Sequence, residues 1–306
     1  MSKENTAVTK KKIKRCKEDV VFDAACFIIL TLVLFVVAYP LYWVIISSIS
    51  APSAVSSGKV LLHPIGFTLK GYAEVFKNDQ VMRGFLNSLI ITFCGVMVNL
   101  IVTLPTSYAL SRSNFSGKKP ISIFYLITMF FGGGLIPTYL VIQRLQMLNT
   151  IWALILPGCL SVYNMIVART FFKSNISEEL YEAAEIDGCT QARFFFQIAL
   201  PLSKAIIAIL VLYYGVGHWN SYFSALVYIS DKAKYPLQLV LRNILITNQT
   251  ALSQTATTAA ARAALQEKQQ LIDVMKYSLI IISSIPVLVM YPLCLLYTSD
   301  AADEAR

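Results

Sequence analysis

Charge is scarce in this sequence. Of 306 residues only 14% are Asp, Glu, Lys or Arg, while 56% are apolar, and the mean hydropathy is +0.62. A soluble domain carries about 25% charged residues. So little polar surface cannot cover a water-soluble globule of this size, which leaves the bilayer as solvent. Histidine is scarcer still, with only His63 and His218. The six cysteines (Cys16, Cys26, Cys94, Cys159, Cys189 and Cys294) form no CxxC pair. Metal-ligand spacing is therefore absent, and no metal site is expected. Most of the cysteines fall in apolar stretches, where a free thiol behaves as a small hydrophobe, so no disulfide is expected. A membrane enzyme would need a catalytic constellation, and no HExxH, GxSxG or membrane-embedded Asp pair occurs.

The charge that is present is uneven. The net charge is +9, from 26 Lys and Arg against 17 Asp and Glu. Seven basic residues, Lys3, Lys10, Lys11, Lys12, Lys14, Arg15 and Lys17, stand in the first 17 positions. A basic block before a long apolar stretch is an anchor facing anionic headgroups rather than a nucleic-acid surface. Residues 1–19 are accordingly read as a basic cytoplasmic N-terminus, and no nucleic-acid partner is expected.

Six windows of 23 or more residues hold no charge: 24–58, 84–111, 120–143, 145–168, 205–230 and 277–299. A spanning helix needs about 20 mostly apolar residues. These runs are too continuous for the alternation of barrel strands, so helices remain. The sequence predicts an all-α membrane protein with six transmembrane helices, at about 24–48, 86–110, 120–142, 150–172, 203–229 and 275–297. The first is no cleavable signal: its polar leader and apolar run are too long, and no small-residue cleavage site follows. The 111–119 loop carries Arg112, Lys118 and Lys119, whereas 143–149 carries only Arg144. Positive-inside bias then puts the N-terminus, 111–119 and 173–202 in the cytoplasm, and 50–85 and 230–274 outside. The windows lack the intramembrane carboxylates and arginines of ion-coupled carriers and voltage sensors. Aromatic and hydroxyl chemistry is what they hold, notably Tyr163 and Asn164, then Tyr213, Tyr214, His218, Trp219, Asn220, Tyr222 and Phe223.

One cytoplasmic loop carries most of the information. Ser177 to Gly188 reads as a short helix, capped by Asn175 or Ser177, with Glu178 and Glu179 in its first turn and Gly188 as its stop. Leu180, Ala183 and Ala184 share one face at helical spacing. A second short helix is predicted from Thr190, ending before Pro201.

The spacing Glu182-Ala183-Ala184, three residues, Gly188, nine residues, Ile198, one residue, Leu200-Pro201 resembles the EAA loop of the permease subunits of binding-protein-dependent ABC importers. The match is complete at every defined position and sits before the second-last span, where that family has it. A bare Glu-Ala-Ala triplet would mean nothing. Residues 131–138, His218-Trp219-Asn220 and 235–242 look like the carbohydrate branch, in the maltose-type second-subunit, oligo- or polysaccharide group. The resemblance covers about 20–293. It implies the type I importer permease fold and a subunit that is not itself an enzyme. It also implies a homologous second permease, two ATP-binding subunits, an extracytoplasmic solute-binding protein, a carbohydrate substrate and the bacterial cytoplasmic membrane. The helix at Glu182, Ala183 and Ala184 would seat in an ATP-binding subunit, with Glu182 making the partner contact and Gly188 and Pro201 acting through backbone shape. This chain has no GxxxxGK[ST] phosphate loop, since Gly117-Lys118-Lys119 lacks the first glycine and the Ser or Thr. ATP and Mg would belong to the partner.

Plainer readings stand beside these. The 177–201 loop alone could be an acidic connector at the membrane edge, but the full spacing argues otherwise. Tyr163, Asn164, Trp219, Asn220 and Tyr222 would suit a sugar path; they are equally ordinary as interface and helix-packing residues. Gly132-Gly133-Gly134 offers a hinge or close helix packing. His63 reads as a surface residue, and 251–270 as an outside helix. Residues 294–306 resemble translated transposase-adapter sequence and are read as a non-native tail. An ATP-independent carrier or channel for a small polar solute is the competing function.

Overall fold

The computed structural model describes residues 17–251 and 259–304, and these form helices and turns without a strand. The basic block at 1–16, Cys16 included, and part of the 251–270 helix lie outside the described residues. In chain order the helices are α1 (Lys17–Ser48), α2 (Pro52–Ser56), α3 (Lys70–Lys77), α4 (Asp79–Ser111), α5 (Lys118–Phe130), α6 (Leu135–Arg144) and α7 (Trp152–Ile155). There follow α8 (Val162–Asn175), α9 (Glu178–Ile186), α10 (Gln191–Phe194), α11 (Lys204–Trp219), α12 (Phe223–Tyr228), α13 (Leu237–Ala251) and α14 (Ala259–Glu304).

Four segments are single helices long and apolar enough to cross a membrane: Val21–Ser48, Asp79–Ser111, Pro201–Trp219 and Gln269–Pro292. The other two predicted spans are broken. Helices α5 and α6 meet at 115°, and the 152–158 and 162–175 segments at 52°. The first break has a local cause. Gly134 has φ +84° and ψ 177°, a conformation essentially reserved for glycine. No atom lies within 4 Å of where a Cβ would sit on Gly132 or Gly134. These glycines mark a bend, not a close helix contact. The predicted fifth span, 203–229, also divides: α11 stops at Trp219, and α12 begins only at Phe223.

Backbone freed inside a membrane must be re-satisfied by neighbours. At the fourth-span break Asn99 Nδ2 donates to the carbonyls of Gly158 (2.8 Å) and Cys159 (2.9 Å). The Ser161 N–H donates to the Tyr214 hydroxyl (3.3 Å), which also shares a 2.7 Å hydrogen bond with Thr103. His218 Nε2 donates to Asn99 Oδ1 at 2.7 Å, and Gly95 leaves room for the imidazole. Helix α4 is thus the central post. Pairing of Gly95 with His218 and Thr103 with Tyr214 sets α11 antiparallel to it. Asn99 with Gly158 and Ser107 with Met165 (3.1 Å) set α8 parallel. Helix α14 runs back along α11, with Trp219 donating to the Ser283 carbonyl (2.9 Å) and Met290 over Gly215.

The last turns of helix α1 pack against the bundle, where Trp43 meets Tyr277 edge-on at 5.1 Å. Ser48 pairs there with Tyr72 of α3 at 2.9 Å. The start of α1, the 111–117 loop and residues 176–202 therefore share one end of the bundle. Residues 49–78 and 229–237 share the other, where Asn87 donates to the Ala233 carbonyl (2.8 Å) and Leu237 N–H to Ser88 Oγ (2.8 Å). His63 is exposed at that second end.

Candidate functional site

Helix α9 starts at Ser177, whose Oγ accepts from Leu180 N–H at 3.2 Å; of the two caps the sequence offered, Ser177 is the one used. Gly188 follows with φ +73°, and Cys189 N–H closes onto the Ala184 carbonyl at 2.9 Å. Thr190 Oγ1 then caps α10 through Arg193 N–H at 3.3 Å. Residues Phe195–Ala199 form a π turn, closed by Leu200 N–H on the Phe195 carbonyl at 2.9 Å. Pro201 opens the turn that leads into α11.

The buried side of α9 corrects the sequence grouping. Tyr181 and Ala184 pack inward with Ile176, Phe194, Phe195, Ala199, Tyr108 and Phe172. Leu180 is 39% exposed and Ala183 is also exposed, so they do not share the buried face of Ala184. The Tyr181 ring is the largest apolar group on the helix, and its burial sets the phase. Turned outward are Glu179, Glu182, Ala183 and Ile186, a ridge at i, i+3, i+4 and i+7. Ile186 is 86% exposed; its only sequence signal was an isoleucine four residues after Glu182. Gly188 and Pro201 are exposed, and Ile198 and Leu200 are half-buried under the loop.

Sequence reasoning used Arg112 only for orientation and missed its pairing with Glu178 at 2.9 Å. Ser113 donates to Glu178 through its hydroxyl and through its N–H (3.2 Å). The Ser113 hydroxyl above all, with the Arg112 charge behind it, holds the Glu178 carboxyl below its ordinary range. Burial pushes the Tyr181 phenol up.

A second feature lies on the side of the bundle. Tyr163, Asn164, Tyr213 and Tyr291, with Leu212, Val216 and Val287, line an open cleft of about 480 Å³ between α8, α11 and α14. It unites Tyr163 and Asn164 and adds Tyr213 and Tyr291. Trp219, Asn220 and Tyr222 are elsewhere. Trp219 is 2% exposed, edge-on to Phe85 at 5.7 Å, with its N–H committed to Ser283. In this conformation it is a core residue that offers no face to a sugar. Asn220 ends α11 and Tyr222 is exposed beside Phe223. Among the described residues no cluster of His, Cys, Asp or Glu could hold a metal ion.

No protein-family model matches the chain. Individual relatives do. Over 271 residues it is 34% identical to the polygalacturonan/rhamnogalacturonan transport system permease protein YtcP of Bacillus subtilis (strain 168), covering 89% of this chain and 92% of that one. It is 37% identical over 272 residues to protein LplC of the same organism, covering 89% and 90%. The chain belongs to the carbohydrate ABC transporter permeases. This permease also matches a solved bacterial ABC transporter involved in the import of the acidic polysaccharide alginate, with a TM-score of 0.83 at 26% identity, over 92% of this chain and 98% of that chain. The permease therefore shares the importer fold over 92% of its length.

Proposed function

We propose that this permease forms the membrane path of an ATP-driven importer that carries an oligosaccharide across the bacterial cytoplasmic membrane. It would work with a homologous second permease, two ATP-binding subunits that supply the ATP and Mg chemistry, and an extracytoplasmic solute-binding protein. The observation that carries this reading is the ridge of Glu179, Glu182, Ala183 and Ile186. It stands outward at one end of the bundle, on a helix held by a capped loop. An exposed isoleucine flanked by carboxylates is a poor solvated surface and a good docking one. The positive-inside reading puts this end in the cytoplasm, where ATP is.

The cleft at Tyr163, Asn164, Tyr213 and Tyr291 supports a sugar as cargo. Aromatic rings accept the apolar C–H faces of a sugar, while phenol and amide groups pair with its hydroxyls. YtcP is named for polygalacturonan and rhamnogalacturonan, and the solved importer for alginate. Acidic oligosaccharides are therefore the first substrates to try. The test uses the importer purified from native membranes and placed in liposomes, with oligogalacturonides and their binding protein outside. Uptake is expected only with ATP on the ATPase side. Uptake by the purified single chain without ATP would identify an ATP-independent carrier instead.

A further inference from the structure

Arg112 stands directly after the last residue of α4, and its side chain is only 10% exposed. Its guanidinium lies 4.0 Å from the Tyr181 ring centroid, and 5.8 Å and 5.9 Å from those of Tyr108 and Phe194. Those rings belong to α9, α4 and α10. One cation thus touches three elements, and the Glu178 carboxylate at 2.9 Å supplies its counter-charge from the first turn of α9. A planar guanidinium suits this box because it stacks on aromatic faces and presents a rigid fork to a carboxylate; an ammonium does neither as well.

Helix α9 has two covalent attachments, through Ile176 to α8 and through α10 to α11. Tyr181 and Ala184 also pack on the apolar cluster beneath the loop, a contact that carries no directional bond. The Arg112 box adds a directional, charged tie from the first turn of α9 to the end of α4. We propose that Arg112 is a positioning residue that locks α9 to the end of the second span. A push on the outward ridge then moves α4 instead of tilting α9. The proposal rests on the reading of that ridge as the ATPase dock. Helix α4 carries the displacement to Asn99 and Thr103, and so to the break in the fourth span beside Tyr163 and Asn164.

The test compares Arg112→Lys, Tyr181→Leu and Tyr181→Phe in the whole importer from native membranes, in liposomes, with oligogalacturonide as probe. The first readout is oligogalacturonide taken up per ATP hydrolysed. The second needs no sugar: the distance between spin labels at Glu185→Cys and Ile101→Cys in a cysteine-free background, with and without ATP plus vanadate. Both label sites are exposed. Arg112→Lys and Tyr181→Leu should retain the ATPase subunits and their hydrolysis while uptake per ATP falls about tenfold. Tyr181→Phe keeps the ring and loses only the hydrogen bond that Gln191 Nε2 donates to the phenol, so uptake per ATP should stay within about twofold of the wild type. The label distance should stay constant on nucleotide binding in the wild type and change in the two disruptive variants.

Unchanged uptake per ATP in both disruptive variants overturns the proposal. So does loss of the ATPase subunits in both, which would reduce the box to a folding element. A wild-type importer that hydrolyses ATP without moving oligogalacturonide counts against the substrate alone, and the label distances then decide the link. A wild-type chain that never binds an ATPase subunit refutes the docking reading itself.

Discussion

Glu182 and Gly95 show how differently single positions act in this permease. Glu182 is exposed on the α9 ridge and supports nothing inside the bundle. Reversing its charge should leave the fold within about 0.5 kcal/mol of the wild type, as for other surface sites. The same Glu182→Lys change should cut ATP-driven uptake about tenfold or more if a partner cleft receives it. Thermal unfolding in detergent and uptake in vesicles measure the two, and normal uptake would remove Glu182 from the docking surface. Gly95 is the opposite case. A Cβ there would stand 2.5 Å from His218 Nε2 and 2.6 Å from Cδ2, and the ring is tethered to Asn99. Gly95→Ala should cost about 1–3 kcal/mol, the usual range for overpacking. An unshifted melting temperature would mean that the imidazole moves aside freely.

Elements follow a rule that single residues do not reveal. Charge-free windows measure whether a segment tolerates lipid, and four of them coincide with single apolar helices and two with bent helix pairs. They do not measure helical continuity, so the bends at 131–134 and 159–161 and the early end of α11 at Trp219 escaped. Gly132-Gly133-Gly134 did signal the first bend, but pattern alone could not separate it from close packing. The 177–201 loop was readable because its caps, stop and spacing are local. Its phase was not, because the choice between Leu180 and Tyr181 depends on Phe194 and Tyr108 arriving from elsewhere. The aromatic cleft was half readable: Tyr163 and Asn164 are in it, whereas Trp219 was claimed by the core.

The glycine bend sets two of its members apart. Gly134→Ala should cost about 1–3 kcal/mol because of its positive φ. Gly132→Ala, with open space around it, should change stability by less than about 0.5 kcal/mol. Paired melting curves check the contrast, and equal losses would show that the bend tolerates no side chain at all.

At the scale of the whole molecule the two ends have different trades. One end gathers the Arg112 box and the α9 ridge, while the other holds residues 49–78 and the 229–237 turn. Single cysteines placed at Asp187 and at Lys232, both exposed, should therefore be modified from opposite sides of sealed vesicles by a membrane-impermeant maleimide. Labelling of both from the same side would break the six-crossing topology.

The π turn at Phe195–Ala199 has a bearing on this geometry. It winds one surplus residue into the approach to the fifth span, and one residue of α-helix corresponds to about 100° of rotation. That surplus, together with the tighter Pro201–Ser203 turn after it, sets the azimuth at which α11 enters the bundle. Excising a single residue there would restore ordinary winding and swing Tyr214 and His218 away from Thr103 and Asn99. A five-residue irregularity at one end of the bundle thus bears on the polar seam along its length.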